Sequence, residues 1–189
     1  MIAVAELQTD LLTRAEAGEA DAFGELYAEL APEVQRFLLG LRLPLSRGDL
    51  EDALQETFLR VLEGLPAFDR ERSLVAYALG IARHVALDLC RRGPPAPAPV
   101  DPDALEGERS TSERVRQREH AELVEDALAA LPAKLRTALT LRHVNRLKMS
   151  ELAEALGCSL PTARARLEAA GLQLGQELRR LGVVPGEAP

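Results

Sequence analysis

Apolar residues recur every three or four positions through most of the chain, and each run marked in this way predicts a helix. In the first half, Phe23, Leu26, Tyr27 and Leu30 mark a helix over Ala20–Leu30, and Val34, Phe37, Leu38 and Leu41 mark another over Pro32–Leu43. Pro32 suits a first helical turn, so a break between the two is expected there. Pro44–Gly48 reads as a loop, after which Asp49 is placed to start a third helix that runs to Glu63 and stops at Gly64–Pro66. Ser73 is placed to cap a fourth helix that continues to Arg92.

The helical period then vanishes. Gly93–Pro102 holds Pro94, Pro95, Pro97, Pro99 and Pro102, and the composition stays polar through Thr111. Proline-rich chain favours extended polyproline II, so 93–111 is expected to be a linker between a domain over 1–92 and a domain over 112–189. The two domains are expected to move independently in the free protein. Beyond the linker the period returns, predicting helices over Ser112–Ala130, Ala133–Asn145, Ser150–Leu156 and Leu160–Arg180. The last pair has the form of a helix-turn-helix: Ser150 is placed to cap the short helix, Gly157 to make the turn and Ser159 to cap the long one.

Composition agrees with an all-α fold of two helical domains. Aromatic residues make up 3% of the chain and Trp is absent, so the cores must be built from Leu, Ala and Val. Charge divides the halves. The whole chain carries −7, most of it in the first 92 residues, whereas Lys134, Arg136, Arg142, Arg146 and Lys148 cluster without an acid between Ala127 and Ser150. Such asymmetry suggests different partners for the two halves. No run near 20 apolar residues and no signal peptide is evident, so no membrane insertion is expected, and the cytoplasm is the expected location. Cys90 and Cys158, in different domains, are expected to be reduced there.

The third helix carries the first candidate site. Leu50, Ala53, Leu54, Thr57, Phe58, Val61 and Leu62 share one face, leaving Asp52, Gln55, Glu56, Leu59 and Glu63 on the other. That outer face is either a solvated surface with a stray leucine or a docking surface. A leucine ringed by carboxylates would suit a protein partner with a basic rim and an apolar pocket.

The stretch Asp49-Leu-Glu-Asp-Ala-Leu-Gln-Glu-Thr-Phe-Leu-Arg60 resembles the core-polymerase-binding helix in region two of the extracytoplasmic-function group of bacterial RNA polymerase sigma factors. The resemblance continues through Phe68 and Ser73–Arg92, which is similar to the family's promoter-melting segment. Leu131–Arg142, Ser150–Gly157 and Thr162–Leu167 resemble sigma region four, which reads the minus-thirty-five element. It implies core RNA polymerase (β′ and β subunits), promoter DNA and an anti-sigma factor as partners. It assigns core-polymerase binding to Asp52, Gln55 and Glu56, to which the outward leucine of the same face adds Leu59. Binding of the minus-ten strand falls to Tyr77, Arg83, His84, Arg91 and Arg92, and binding of upstream DNA to Lys134, Arg142, Ser159, Thr162, Arg164 and Arg166.

In the fourth helix three positions depart from the family's pattern. Tyr77 stands where Trp is usual, Gly80 where a basic residue is common, and His84 where Asn is common. Single-stranded DNA needs a cationic track with aromatic faces for stacking, so Tyr77 is either the stacking platform or a core aromatic. On the last helix Leu160, Ala163, Leu167, Ala170 and Leu174 form the expected buried stripe. The opposite face shows Pro161, Ala165, Glu168, Ala169 and Leu172, a poor match to a major groove that calls for donors and positive charge.

His84, His120 and His143 lie in separate segments and neither cysteine sits in a ligand-spaced motif, so neither metal nor cofactor is expected. No phosphate loop or nucleophile motif is present, and enzymatic activity is not expected. The expected function is promoter-specific initiation under anti-sigma control. The rival is a sigma-like regulator with weakened DNA binding, acting as an anti-sigma decoy or needing an activator.

Overall fold

A computed structural model describes residues 10–92 and 112–183, with side chains described outside 112–120. The proline-rich segment 93–111 lies outside the described residues. Among the described residues all regular structure is helical: α1 (10–16), α2 (Ala20–Gly40), α3 (Arg47–Gly64), α4 (Leu74–Arg92), α5 (Ser112–Ala130), α6 (Ala133–Leu139), α7 (Met149–Leu156) and α8 (Leu160–Arg180). A short 3-10 turn, Leu65–Ala67, follows α3, and α6 runs on into a π turn, Thr140–Val144.

The expected break at Pro32 does not occur; α2 runs through it. Proline inside a helix forfeits one backbone hydrogen bond and costs about 3 kcal/mol. Here the cost is moderated, because Pro32 and Ala28, whose carbonyl loses its partner, both lie on the exposed face. The opposite face buries Leu26, Leu30, Val34, Phe37 and Leu38. At about 1.5–3 kcal/mol for each large apolar side chain, keeping this stripe continuous outweighs the proline.

α3 begins two residues earlier than expected. Ser46 is its cap: the Ser46 hydroxyl accepts from the Asp49 amide at 3.1 Å, and the Asp49 carboxylate accepts from the Ser46 amide at 2.8 Å. The Ser46 hydroxyl also donates to the Asp49 carboxylate at 2.7 Å, and this bond first, then the Ser46 amide, holds the Asp49 carboxyl below its usual range. Ser73 accepts from the Ala76 amide at 3.3 Å at the start of α4, as expected. Ser150, by contrast, lies inside the first turn of α7. Glu151 closes that end instead, its carboxylate accepting from the Lys148 amide at 2.7 Å. Gly157 makes the turn in a left-handed conformation (φ 62°), which glycine adopts without a Cβ penalty, and Ser159 caps α8.

The two halves pack directly against each other, contrary to the expected independence. α7 lies on α4, and the end of α2 meets the π turn. Leu152, Ala155 and Leu156 of α7 join one continuous core with Leu74, Leu79 and Val85 of α4. Gly80 is the close-approach point: a Cβ built there would lie 3.5 Å from the Ala155 carbonyl oxygen and 3.6 Å from its Cα.

Polar bonds reinforce this seam. Arg136 is buried, and its guanidinium donates across the seam to the Leu41 and Arg42 carbonyls at 3.0 and 2.9 Å and, within its own half, to the Ala129 and Leu131 carbonyls at 3.1 and 2.9 Å. Thr140 donates to the Gly40 carbonyl at 3.1 Å. Asn145 donates to the Glu33 carbonyl at 3.0 Å and to its carboxylate at 3.1 Å, a reach that the π turn sets up. Arg42 also pairs with Glu125.

Candidate protein and nucleic-acid interfaces

The first surface is a groove between α3 and α4, lined by Asp52, Gln55, Glu56, Leu59 and Arg60 on one side and Val85, Asp88, Leu89 and Arg92 on the other. α3 buries Ala53, Thr57, Phe58 and Val61, which turns the opposite face outward as its periodicity predicts. Leu59 is 57% exposed, unusual for a residue of its size. The Thr57 hydroxyl donates to the Ala53 carbonyl at 2.6 Å, so the buried side of α3 has its polar group satisfied. Glu56 pairs with Arg60 at 2.8 Å across one turn. The groove therefore combines an apolar projection with acidic and basic edges on two rigid helices.

The residues expected to hold the minus-ten strand are not brought together on one open face. Arg92 lines the groove just described. Arg91 is exposed and donates to Asp88 at 2.6 Å. Tyr77 is half-buried: its ring meets Phe68 with centroids 4.9 Å apart, and its hydroxyl fills the space above Gly64. In this conformation Tyr77 serves as a core aromatic. His84 is exposed beside Arg83, with 3.0 Å between its Nε2 and an Arg83 Nη. Partial burial, and then the Arg83 charge, push the His84 imidazole below its ordinary value.

Arg83 itself is half-buried, and its Nε–H is enclosed without a hydrogen-bond partner. Its pKa is lowered, first by burial and then by the nearby charge of Arg166 on α8. Arg72, in the turn before α4, lies 2.9 Å from the Glu154 carboxylate of α7. The approach is oblique for a hydrogen bond and leaves that oxygen buried, so the attraction is coulombic.

The upstream-DNA candidates are scattered over the second half. Lys134 and Arg164 are exposed. Arg142 is half-buried and donates to the Leu147 carbonyl at 2.7 Å. Ser159 and Thr162 are engaged in capping α8: the Ser159 hydroxyl accepts from the Thr162 amide at 3.4 Å, and the two hydroxyls lie 2.8 Å apart. Arg166 is half-buried near Arg83. Pro161, Ala165, Glu168, Ala169 and Leu172 are exposed, as expected, and Leu160 joins them at 43% rather than the buried stripe. As the first residue of α8 it lies beyond the edge of the small core formed by Leu131, Leu139 and Ala170.

Sequence reasoning missed the seam. Arg136 counted there as one of five clustered cations, yet it is buried in backbone carbonyls. The available signal was its register: Arg136 is one turn from Leu139 and Thr140, on the apolar side of its helix. Among the described residues no cluster of His, Cys, Asp or Glu could hold a metal ion, and no helix is long and apolar enough to cross a membrane.

Comparison with known proteins supplies the family. The pattern described as Sigma-70 region 2 matches residues 26–93, and that described as Sigma-70, region 4 matches residues 121–173. The extracytoplasmic-function RNA polymerase sigma factor BldN of Streptomyces coelicolor is 32% identical over 152 residues, covering 78% of this chain but only 57% of BldN. The extracytoplasmic-function sigma-E factor of Haemophilus influenzae is 28% identical over 183 residues, covering 87% of this chain and 92% of that protein. Among solved structures, CnrH in complex with the cytosolic domain of CnrY superposes with a TM-score of 0.66 at 22% identity, over 90% of this chain and 96% of that one, a likeness of fold. With both sigma regions matched in order and relatives aligned across most of its length, this chain belongs to the extracytoplasmic-function group of RNA polymerase sigma factors.

Proposed function

We propose that this chain is a dissociable, non-catalytic initiation subunit acting in the cytoplasm. Its α3–α4 groove docks on core RNA polymerase through Asp52, Gln55, Glu56 and Leu59, α4 handles the melted minus-ten strand, and α8 contacts upstream DNA. The observation that carries this reading is Leu59, exposed in an acidic setting on a helix whose other face buries Ala53, Thr57, Phe58 and Val61. A large apolar side chain centred in a polar ring is the usual anatomy of an interface anchor. The test is binding of purified chain to core polymerase. Leu59→Ala and Gln55→Ala should each weaken it, with about 1–2 kcal/mol expected for the leucine, while the helical circular dichroism stays unchanged. Unaltered affinity in both variants removes the groove from the docking surface.

Control by an anti-sigma factor is part of the proposal. CnrH is solved with the cytosolic domain of CnrY, and RpoE of Bartonella quintana with the anti-sigma factor NepR, and both chains share this fold. A second reading, a sigma-like regulator with weakened DNA binding, is favoured by one feature. The outward face of α8 offers Ala165, Glu168 and Ala169 where a DNA-reading helix needs donors. In vitro transcription with core polymerase and fragmented genomic DNA separates the two readings.

A further inference from the structure

Five large apolar side chains stand exposed among the described residues, and two of them, Leu160 and Leu172, are on α8; Leu172 is 71% exposed. They end one row. Leu160, Arg164, Glu168 and Leu172 follow at four-residue steps, Pro161, Ala165 and Ala169 form the neighbouring row, and all seven are exposed. Between the rows lies an open groove of about 220 Å³, lined by Leu160, Pro161, Arg164, Ala165 and Glu168. Rows at this spacing are the ridges and grooves with which two helices most often pack.

The charges on this face are left without partners. Arg47 and Glu51, at the same spacing and in the same order, pair at 3.2 Å across one turn of α3. Among the described residues the charged groups of Arg164 and Glu168 make neither a hydrogen bond nor an ion pair. One guanidinium against one carboxylate leaves the face neutral in sum. A phosphate backbone is therefore a poor complement to it, and so is a strongly charged protein surface.

What matches this face is its own image. The leucine pair and the charge pair are both centred on position 166. A two-fold axis crossing α8 at that level sets Leu160 against Leu172 of a second copy and Arg164 against its Glu168 at the same time. At a rise of about 1.5 Å per residue the charges lie about 6 Å apart and the leucines about 18 Å apart. Two ion pairs then flank the axis, with an apolar contact closing each end.

We propose that the outward face of α8 is an interface with a second copy of this chain, an antiparallel dimer in which each Arg164 pairs with the other copy's Glu168. The proposal rests on α8 alone and is independent of how the α3–α4 groove binds polymerase. One helix pair covers less than the roughly 800 Å² per partner of a standard interface, so the dimer is weak and reversible. The proposed function gives the same face to upstream DNA, and dimer and duplex therefore compete for it.

The test is sedimentation equilibrium on the full chain over about 10–500 µM, a range that brackets weak association, in about 0.15 M salt to screen the net charge of −7. The average mass should climb from the monomer value toward twice it. Glu168→Arg and Arg164→Glu each bring like charges together at two symmetric places and should weaken association at least about threefold. Combining the two substitutions restores opposite pairs and should recover it, whereas Leu172→Glu should abolish it. All three positions are exposed, so the helical circular dichroism should be the same in every variant. A parent that stays at the monomer mass throughout overturns the proposal and leaves the face to a different partner. So does a dimer that Leu172→Glu leaves intact, or a combined variant that does not regain what the single ones lose.

Discussion

Replacing Arg136 by methionine keeps the length and apolar stem of the side chain and removes the guanidinium that ties the two halves together. Four carbonyls lose a charged donor: Leu41 and Leu131 in buried settings, Arg42 and Ala129 in partly buried ones. The latter two can turn to water. The two buried carbonyls are left unsatisfied, at about 1–3 kcal/mol each. Against this stands the relief of no longer burying a cation, whose cost is visible in the lowered Arg136 pKa, caused first by burial and then by Arg42. The net expectation is a loss of about 3 kcal/mol, or roughly 6–12 °C in Tm for a chain of this size. Arg136→Lys should recover only part of it, because an ammonium cannot span four acceptors with a planar fork. The assay is differential scanning calorimetry, with circular dichroism to check the helices. If the methionine variant melts within about 2 °C of the parent, Arg136 does not hold the seam. A single transition splitting into two in the variant would further show that the clasp couples the halves.

Three further outcomes are expected. Pro32→Ala should raise Tm, because restoring the amide returns a helical bond to the Ala28 carbonyl; about 1–3 kcal/mol is at stake, and a lower Tm would mean that the proline is accommodated without cost. Glu168→Arg with Ala169→Arg should tighten binding to upstream promoter duplex at low salt. Each added phosphate contact should steepen the salt dependence by about 0.9 in log K per decade, and anisotropy across a salt series reads this directly; weaker binding would make Glu168 a base reader. His84 is held below its ordinary imidazole value, so the unfolded chain takes up its proton first as pH falls. Stability from this group is present above about pH 6.5 and lost as pH drops toward the lower folded value, so His84→Gln should show a smaller fall in Tm between pH 7.5 and 5.5 than the parent.

Most of the local structure was legible in the amino-acid order. The 3.6-residue period located the helices, because amphipathic helices declare their buried face within a few turns, and Ser73, Gly157 and Ser159 marked ends whose chemistry is local. The outward turn of Asp52, Gln55 and Leu59 followed from the same period, as did the bare face of α8. Family membership also came through at this level, since the motifs of both sigma regions are short continuous stretches.

Tertiary packing decided the rest. Pro32 looked like a boundary because its local cost is plain, while the gain that overrides it, a stripe from Leu26 to Phe37 fitted into a shared core, exists only once the other helices are in place. Ser150 looked like a cap for want of the Glu151 carboxylate's position. Above all, nothing in the local sequence separates Arg136, Arg83 and Arg72. Their different fates, one buried among carbonyls, one half-buried with its Nε–H unpartnered and one paired with Glu154, depend on residues up to 95 positions away in sequence. Charge and periodicity describe a residue's own helix; which helix comes to cover it is a property of the packed whole.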